Sequence, residues 1–414
     1  MIRKPNVLWI MCDQLRYHAL SAAGDPNIET PNIDRIGREG AICRNAYVTW
    51  PLCTPQRACM VTGLYNHANG VVGQGELLRP SVSTIAHSFR AAGYRTCWMG
   101  KWHLGSADAG PNASYWVHPA LRGGFQEWYG FDFANAGWNT KYSVNDEIRP
   151  YRVLEGFQTD GLTNLALDWL GEAGTKSEPL FACVSYEAPH PLTGPDGTPG
   201  ERPNGEMRCE APEEYLAMFD ADSLSLRQNV PREDPELVDF TRNELVRYYA
   251  MVKNVDDNVG RLLDALFAAG ALDSTIVVFF SDHGEHGGSH GNFGKGVGRE
   301  EDLHIPLMIR YPERLAAGTE YEGLVGGLDI YPTTAGLAGV PMRNAVHGVN
   351  HTPALTGISG PPRDRLMLQW TNRHLHPWSR TPRYGLLRNK AIYIATSDAP
   401  DRYWDLTADP FQER

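Results

Sequence analysis

Hydrophobic positions along this chain follow two rhythms. Short, nearly unbroken apolar runs occur at Val7–Cys12, Thr96–Met99, Leu180–Ser185, Thr275–Ser281 and Leu307–Arg310. Their length and their β-branched or aromatic content predict strands buried on both faces. Between them lie stretches with an apolar residue every three or four positions: Thr84–Ala92, Asp160–Ala173 and Asn243–Ala269. The last aligns Leu245, Tyr248, Tyr249, Val252, Val255, Val259, Leu262, Leu263 and Leu266 on one face, which predicts a long amphipathic helix. Strands alternating with helices predict an α/β fold with a large, mostly parallel or mixed central sheet sandwiched by helices. Ligands of such sheets gather at the carboxyl ends of the strands. Two predicted strands end there in polar pairs, Asp13-Gln14 and Asp282-His283.

Elsewhere the pattern loosens. Residues 105–160 and 186–235 are rich in Gly, Pro and polar side chains and read as long functional loops. Near Gly339–Gly348 the segments become shorter, among them Arg365–Trp370 and Ala391–Thr396. The division expected is a catalytic α/β domain over 1–340 and a smaller α+β subdomain, an antiparallel sheet plus helix, over 341–414.

Charge narrows the partners. With 38 basic and 49 acidic side chains the net charge is −11, and no Lys/Arg block stands out. Neither a nucleic-acid nor a membrane partner is expected, and an anionic substrate must be drawn in by local positive charge. No stretch approaches membrane-spanning length. Met1–Lys4 is basic, but the apolar run after it stops at Asp13, too early for an export signal, and no small-residue cleavage site follows. It reads as a buried first strand, so the location expected from the sequence as it stands is cytoplasmic, with export open if a signal was removed. The seven cysteines (12, 43, 53, 59, 97, 183 and 209) are odd in number and form no zinc-type pair. They read as reduced thiols, with Cys53 the exception.

Four segments carry the chemistry. Leu52-Cys53-Thr54-Pro55-Gln56-Arg57-Ala58 is followed by Val61-Thr62-Gly63; alone, it reads better as a buried cysteine before a helix with proline in its first turn. Gly100–Gly105 sets Lys101 and His103 on a turn after a strand, where alternate residues share a face. Ala188-Pro189-His190-Pro191 holds a histidine between two prolines, whose fixed backbone suits a side chain that must stay in place. Ser281–Glu285 follows another strand, with Lys295 on the glycine-rich loop beyond it.

In this order and spacing, the segments resemble the type I, formylglycine-dependent sulfatases of the alkaline phosphatase superfamily. The likeness runs from about residue 5 to about residue 410 and includes Thr30–Asp34, Asp257–Leu263, Asp329–Thr333 and the closing Tyr403–Pro410. It implies an alkaline phosphatase-like fold and hydrolysis of a sulfate ester, on a sugar, glycan or small organic molecule. Cys53 matches the residue that a formylglycine-generating enzyme oxidises to an aldehyde, with Pro55 and Arg57 in the recognition pattern. One hydroxyl of the hydrated aldehyde attacks sulfur, and the other loses its proton as sulfate is expelled. Asp13, Gln14, Asp282 and His283 match the family's metal positions. Many relatives carry Asp at the position of Gln14 and Asn at that of His283. The oxygen-rich set favours Ca²⁺, with Mn²⁺ and Mg²⁺ as alternatives.

By the same resemblance, Arg57 sits beside the diol and His103 takes the second hydroxyl's proton. Lys101 and Lys295 bind sulfate oxygens, and His190 is the general acid at the leaving oxygen. Two other readings stay open. One is a phosphonate monoester hydrolase or phosphodiesterase of the same superfamily. The other is a catalytically silent, sulfatase-like binding protein in which Cys53 remains a thiol, against which the retention of the whole residue set speaks. His286 and His290, on the same loop as Lys295, are placed where they could touch substrate but read first as solvated loop histidines. Trp370, Asn372, Arg373, His374, His376 and Trp378 form a polar-aromatic stretch suited either to a pocket wall or to loop packing.

Overall fold

The computed structural model describes residues 4–105, 115–147, 151–173, 177–194, 196, 209–358, 362–370, 382–388, 390–396 and 400–413. Ten strands build the main sheet: β1 (Asn6–Asp13), β2 (Ala41–Tyr47), β3 (Arg95–Lys101), β4 (Glu127–Phe131), β5 (Lys141–Val144), β6 (Arg152–Val153), β7 (Leu180–Pro189), β8 (Thr275–Ser281), β9 (Leu307–Arg310) and β10 (Thr319–Gly326). Their spatial order is β10-β2-β9-β8-β1-β7-β3-β4-β5-β6. The central strands β8, β1, β7, β3 and β4 run parallel, while β9, β5 and β6 pair antiparallel, so the sheet is mixed. A second, antiparallel sheet holds β11 (Leu366–Trp370), β12 (Arg383–Arg388), β13 (Ala391–Thr396) and β14 (Arg402–Asp405).

The first strand shows why both faces are covered. Val7, Trp9 and Met11 enter one hydrophobic cluster, and Leu8, Ile10 and Cys12 enter the other. This is the period-2 alternation of a strand buried on both sides. The helices Pro31–Arg38, Gln158–Ala173 and Pro235–Ala268 supply the second cluster. Cys53–Thr62, Ile85–Ala91 and Ile330–Ala338 supply the first, together with Leu366, Leu368, Leu387, Ile392, Ile394 and Trp404 of the small sheet. The C-terminal strands therefore share a core with the main sheet.

Local chemistry sets the helix ends. Pro235 occupies the first turn of the long helix, and the Asp234 carboxylate accepts from Glu236 N and Leu237 N. That cap starts the helix eight residues before Asn243, over two half-exposed turns with no apolar period to reveal them. The Cys53–Thr62 helix stops at Gly63, whose φ of 67° suits a glycine.

Two expectations need correcting. The loop expected over 105–160 contains β4, β5 and β6, which extend the sheet with short strands anchored by Trp128, Phe131, Tyr142 and Val144. β2 and β10 also escaped notice, because charged side chains interrupt their apolar positions at an edge of the sheet. Asn372, Arg373, His374, His376 and Trp378 lie outside the described residues. Among the described residues, no helix is long and apolar enough to cross a membrane.

Candidate active site at the carboxyl edge of the sheet

Parallel pairing brings the polar pairs together. β1 and β8 are neighbours with Cys12 opposite Ser281, so Asp13-Gln14 and Asp282-His283 leave the sheet side by side. Gln14 turns there with φ 66°, and its amide N–H donates to Asp282 Oδ1 at 3.1 Å. Cys53, the first residue of its helix, points into the same place. Its sulfur lies 3.1 Å from His283 Nε2 and 3.6 Å from Asp13 Oδ1. Ligand atoms of Asp13, Cys53, Asp282 and His283 all fall within 4.8 Å of one another, and all four residues are buried. Nδ1–H of His283 donates to the Gly284 carbonyl at 3.0 Å, which aims Nε2 at the cluster. Burial works against charge on this imidazole, yet Asp282 and Cys53 hold its pKa up at about 9. Two buried carboxylates and an oriented imidazole fit a divalent cation that takes oxygen and nitrogen donors.

Two buried cations hold the carboxylates. Arg57 donates from Nε to Asp282 Oδ2 at 2.7 Å and from Nη2 to Asp13 Oδ2 at 3.1 Å. Its Nη1 reaches the Lys101 carbonyl and Ser185 Oγ at 2.9 and 3.0 Å. The guanidinium is thereby fixed, as bidentate and multidentate arginines are. Lys101 Nζ lies 2.8 Å from Asp13 Oδ2 and 3.3 Å from Glu187 Oε1. Burial raises the Asp13 pKa, but the buried cations, Lys101 first and Arg57 with it, outweigh it and hold the group well below its ordinary value.

The histidines flank this pair. His103, with φ 60°, donates its backbone N–H to the Asp132 carbonyl at 2.7 Å, and its Nε2 lies 3.3 Å from Gln74 Nε2. His190 is fastened by its backbone N–H to the Asp13 and Glu187 carbonyls, and its Nδ1–H donates to Pro191 O at 2.8 Å. Burial, then Lys101 and Arg57, push the His103 pKa well below its usual value; burial, then Lys295 and Lys101, do so for His190. Both rings rest neutral. Lys295 Nζ donates to Gln14 Oε1, and Gln14 Nε2 donates to Glu285 Oε2.

All ten residues singled out in the sequence thus converge on one place. Sequence reasoning missed the groups that hold them. Glu187 anchors Lys101 while accepting from Ala134 N, Asn135 N and Gln158 Nε2. Glu285 binds Gly287 N and Gly294 N, fixing the loop that carries Lys295. A glutamate near the carboxyl end of a strand signals nothing about partners that arrive from distant segments. His286 is not solvated: it is buried 3.5 Å from Asp302 Oδ2. His290 is half-buried against Arg299 and Asn229, and burial and Arg299 lower its pKa to about 4.

A family model described as Sulfatase matches residues 5–340, and another, described as N-sulphoglucosamine sulphohydrolase, C-terminal, matches residues 288–413. An ulvan-active sulfatase of Formosa agariphila is 30% identical over 422 residues, covering 99% of this chain and 76% of that protein. The crystal structure of a putative sulfatase from Bacteroides fragilis superposes with a TM-score of 0.87 at 24% identity, over 99% of this chain and 91% of that one. A third protein, solved in complex with its substrate D-glucosamine-2-N,6-O-disulfate, superposes with a TM-score of 0.79 at 24% identity, over 99% and 92%.

Proposed function

The chain belongs to the sulfatase family and is a sulfuric ester hydrolase, and from that premise we propose a sulfated carbohydrate as its substrate and Cys53, as formylglycine, as its nucleophile. The observation that carries the reading is the meeting of Asp13, Cys53, Asp282 and His283 within 4.8 Å, at a point flanked by Lys101 and Lys295. Asp13, Gln14, Asp282 and His283 would hold a divalent cation, Ca²⁺ in this reading with Mn²⁺ and Mg²⁺ as alternatives; when bound, it acidifies the nucleophile and neutralises ester oxygens. Formylglycine, installed by a formylglycine-generating enzyme, supplies a hydrated aldehyde with one hydroxyl to attack sulfur and another whose ionisation expels sulfate.

The remaining work falls to the chain's own side chains. Arg57 keeps both carboxylates in place, leaving their outer oxygens directed at the cluster. Lys101 spends two contacts on Asp13 and Glu187, and an ammonium has a third proton for a sulfate oxygen. Lys295, held by Gln14, binds sulfate from the other side. His103 accepts a proton at the second hydroxyl. His190 rests neutral, and a bound sulfate monoanion raises its pKa toward the value a general acid needs. A cavity of about 370 Å³ lined by Trp50, His67, Trp370, Arg383 and Tyr384 offers aromatic faces and a cation. It opens beside the segment that leads into the Cys53 helix, which supports a sugar as the leaving group. The substrate of the disulfated-glucosamine binder supports the same class.

The test combines a mass and a rate. The tryptic peptide Asn45–Arg57, from protein made with a formylglycine-generating enzyme, should be lighter by the exchange of SH₂ for O. That protein should then cleave an aryl sulfate faster than the matching aryl phosphonate. An unmodified thiol overturns the nucleophile, and a preference for the phosphonate overturns the sulfated substrate.

A further inference from the structure

A second group of metal-ligating side chains lies apart from Cys53, where the segment after β1 meets the turn before β9. His18 stands on the single turn Tyr17–Ala19. Glu300 and His304 are four residues apart across the turn Glu300–Leu303, so their side chains share one face. Ligand atoms of the three lie within 4.8 Å of one another. Glu300 is 7% and His304 5% exposed.

The hydrogen bonds leave these atoms facing each other. His304 Nε2–H donates to the Arg44 carbonyl at 3.0 Å, and Nδ1 shares a 2.7 Å hydrogen bond with Glu300 Oε1, a contact whose proton a metal ion would displace. A backbone carbonyl behind one ring nitrogen is the usual support for a histidine that ligates through the other. Tyr17 and Tyr47 both stack on the ring, at 3.9 and 4.5 Å, and fix its plane, while Tyr47 OH donates to Glu300 Oε1 at 2.9 Å. Two buried atoms remain without any hydrogen-bond partner: Glu300 Oε2 and His18 Nε2. Burial, then Arg227 and His304, keep the His18 ring neutral, the form that binds metals. The nearby arginines have their own counter-charges, Arg44 in Glu320 and Arg227 in Glu301. A cavity of about 370 Å³ bordered by all three residues leaves room for a bound water.

We propose that His18 Nε2, Glu300 and His304 Nδ1 form a second metal site for a borderline divalent ion such as Zn²⁺, completed by water. Two imidazoles and a carboxylate with an open position suit zinc, whereas the oxygen-rich cluster at Asp13 suits a harder ion. The ion ties the exit of β1 to the loop between β8 and β9. The near ends of those same segments carry Asp13, Gln14 and Asp282. The site stands whether or not residue 53 is modified.

Anomalous diffraction at the zinc edge, from full-length protein soaked in ZnCl₂, tests this directly. A peak between His18, Glu300 and His304 is expected, and a peak confined to Asp13, Asp282 and His283 overturns the proposal. In solution, native mass spectrometry of wild type should count one Zn²⁺ per chain more than H18Q or E300Q. Zinc should also raise the wild-type Tm and lose that increment in both variants. Equal counts in wild type and a folded variant overturn the site; if neither variant folds, the anomalous map decides alone.

Discussion

Along β7 and β8 of the large sheet every residue is buried, whereas β12 of the small sheet buries Gly385 and Leu387 and exposes Tyr384, Leu386 and Arg388. The difference extends to charge. At the carboxyl edge of the large sheet Asp13, Asp282, Glu187, Arg57 and Lys101 are all at most 1% exposed, and each carboxylate faces a cation. On the outer face of the small sheet Tyr393 and Tyr403 stand opposite each other in solvent. One region tolerates charge only because it is compensated on the spot; the other relies on water. Substitutions should therefore be felt very unequally in the two places.

Arg57→Ala should sharpen that contrast most. It leaves Asp13 and Asp282 short of their shared partner, and breaking a buried ion pair costs about 3–5 kcal/mol. Urea unfolding should show a loss of that order together with loss of sulfatase activity; an unchanged midpoint would break the comparison. Glu187→Gln comes next. Lys101 loses one of two carboxylates, and the neutral amide meets Ala134 N and Asn135 N less well, a loss of roughly 1–3 kcal/mol. Under the proposed role of Lys101 as a donor to a sulfate oxygen in the transition state, kcat should fall about tenfold or more with KM changed less. Tyr403→Ser on the small sheet removes one exposed cross-strand pair and should cost at most about 1 kcal/mol with kcat intact. A larger effect there would mean that the outer face is covered in solution.

Smallest of all is Glu39, a rim carboxylate paired with Arg310 and Arg35 at 2.7 and 2.8 Å. Burial raises its pKa, but the two arginines outweigh that and hold it below its ordinary value. The folded pKa is thus lower than the unfolded one, so the contribution is complete above about pH 4.3, the unfolded value, and fades as pH falls through the folded pKa. Exposed pairs are worth about 0.2–1 kcal/mol, so Glu39→Gln should lower stability by that much at pH 7 and by less at pH 3.5. Chemical denaturation at the two pH values checks it.

The same contrast governs what the sequence revealed. β1, β7 and β8 announced themselves because a strand buried on both faces is a continuous apolar run, and the polar pair after such a run marks the edge where ligands bind. β2 and β10 did not, because Arg44, Asn45, Glu320 and Glu322 break their apolar rhythm at the sheet's margin. Motif residues such as Cys53, Lys101 and His190 were legible through the family resemblance that their segments carry together, since each segment alone also fitted a structural role. Glu187 and Glu285 were not, since their partners come from other parts of the chain and no local pattern encodes a long-range hydrogen bond. His286 was misjudged for a similar reason: its glycine-rich surroundings suggested a solvated loop, yet the loop folds inward against Asp302.

β1 sits between β7 and β8 in the middle of the sheet. Viewed as a schedule of synthesis, this gives β1 no permanent neighbour on one side until residue 180 emerges, and none on the other until residue 275. At about 5–20 residues per second, the segment Val-Leu-Trp-Ile-Met-Cys waits on the order of tens of seconds with both edges open. The apolar continuity that makes it the centre of the finished sheet makes it, during that interval, the part of the chain most in need of shelter.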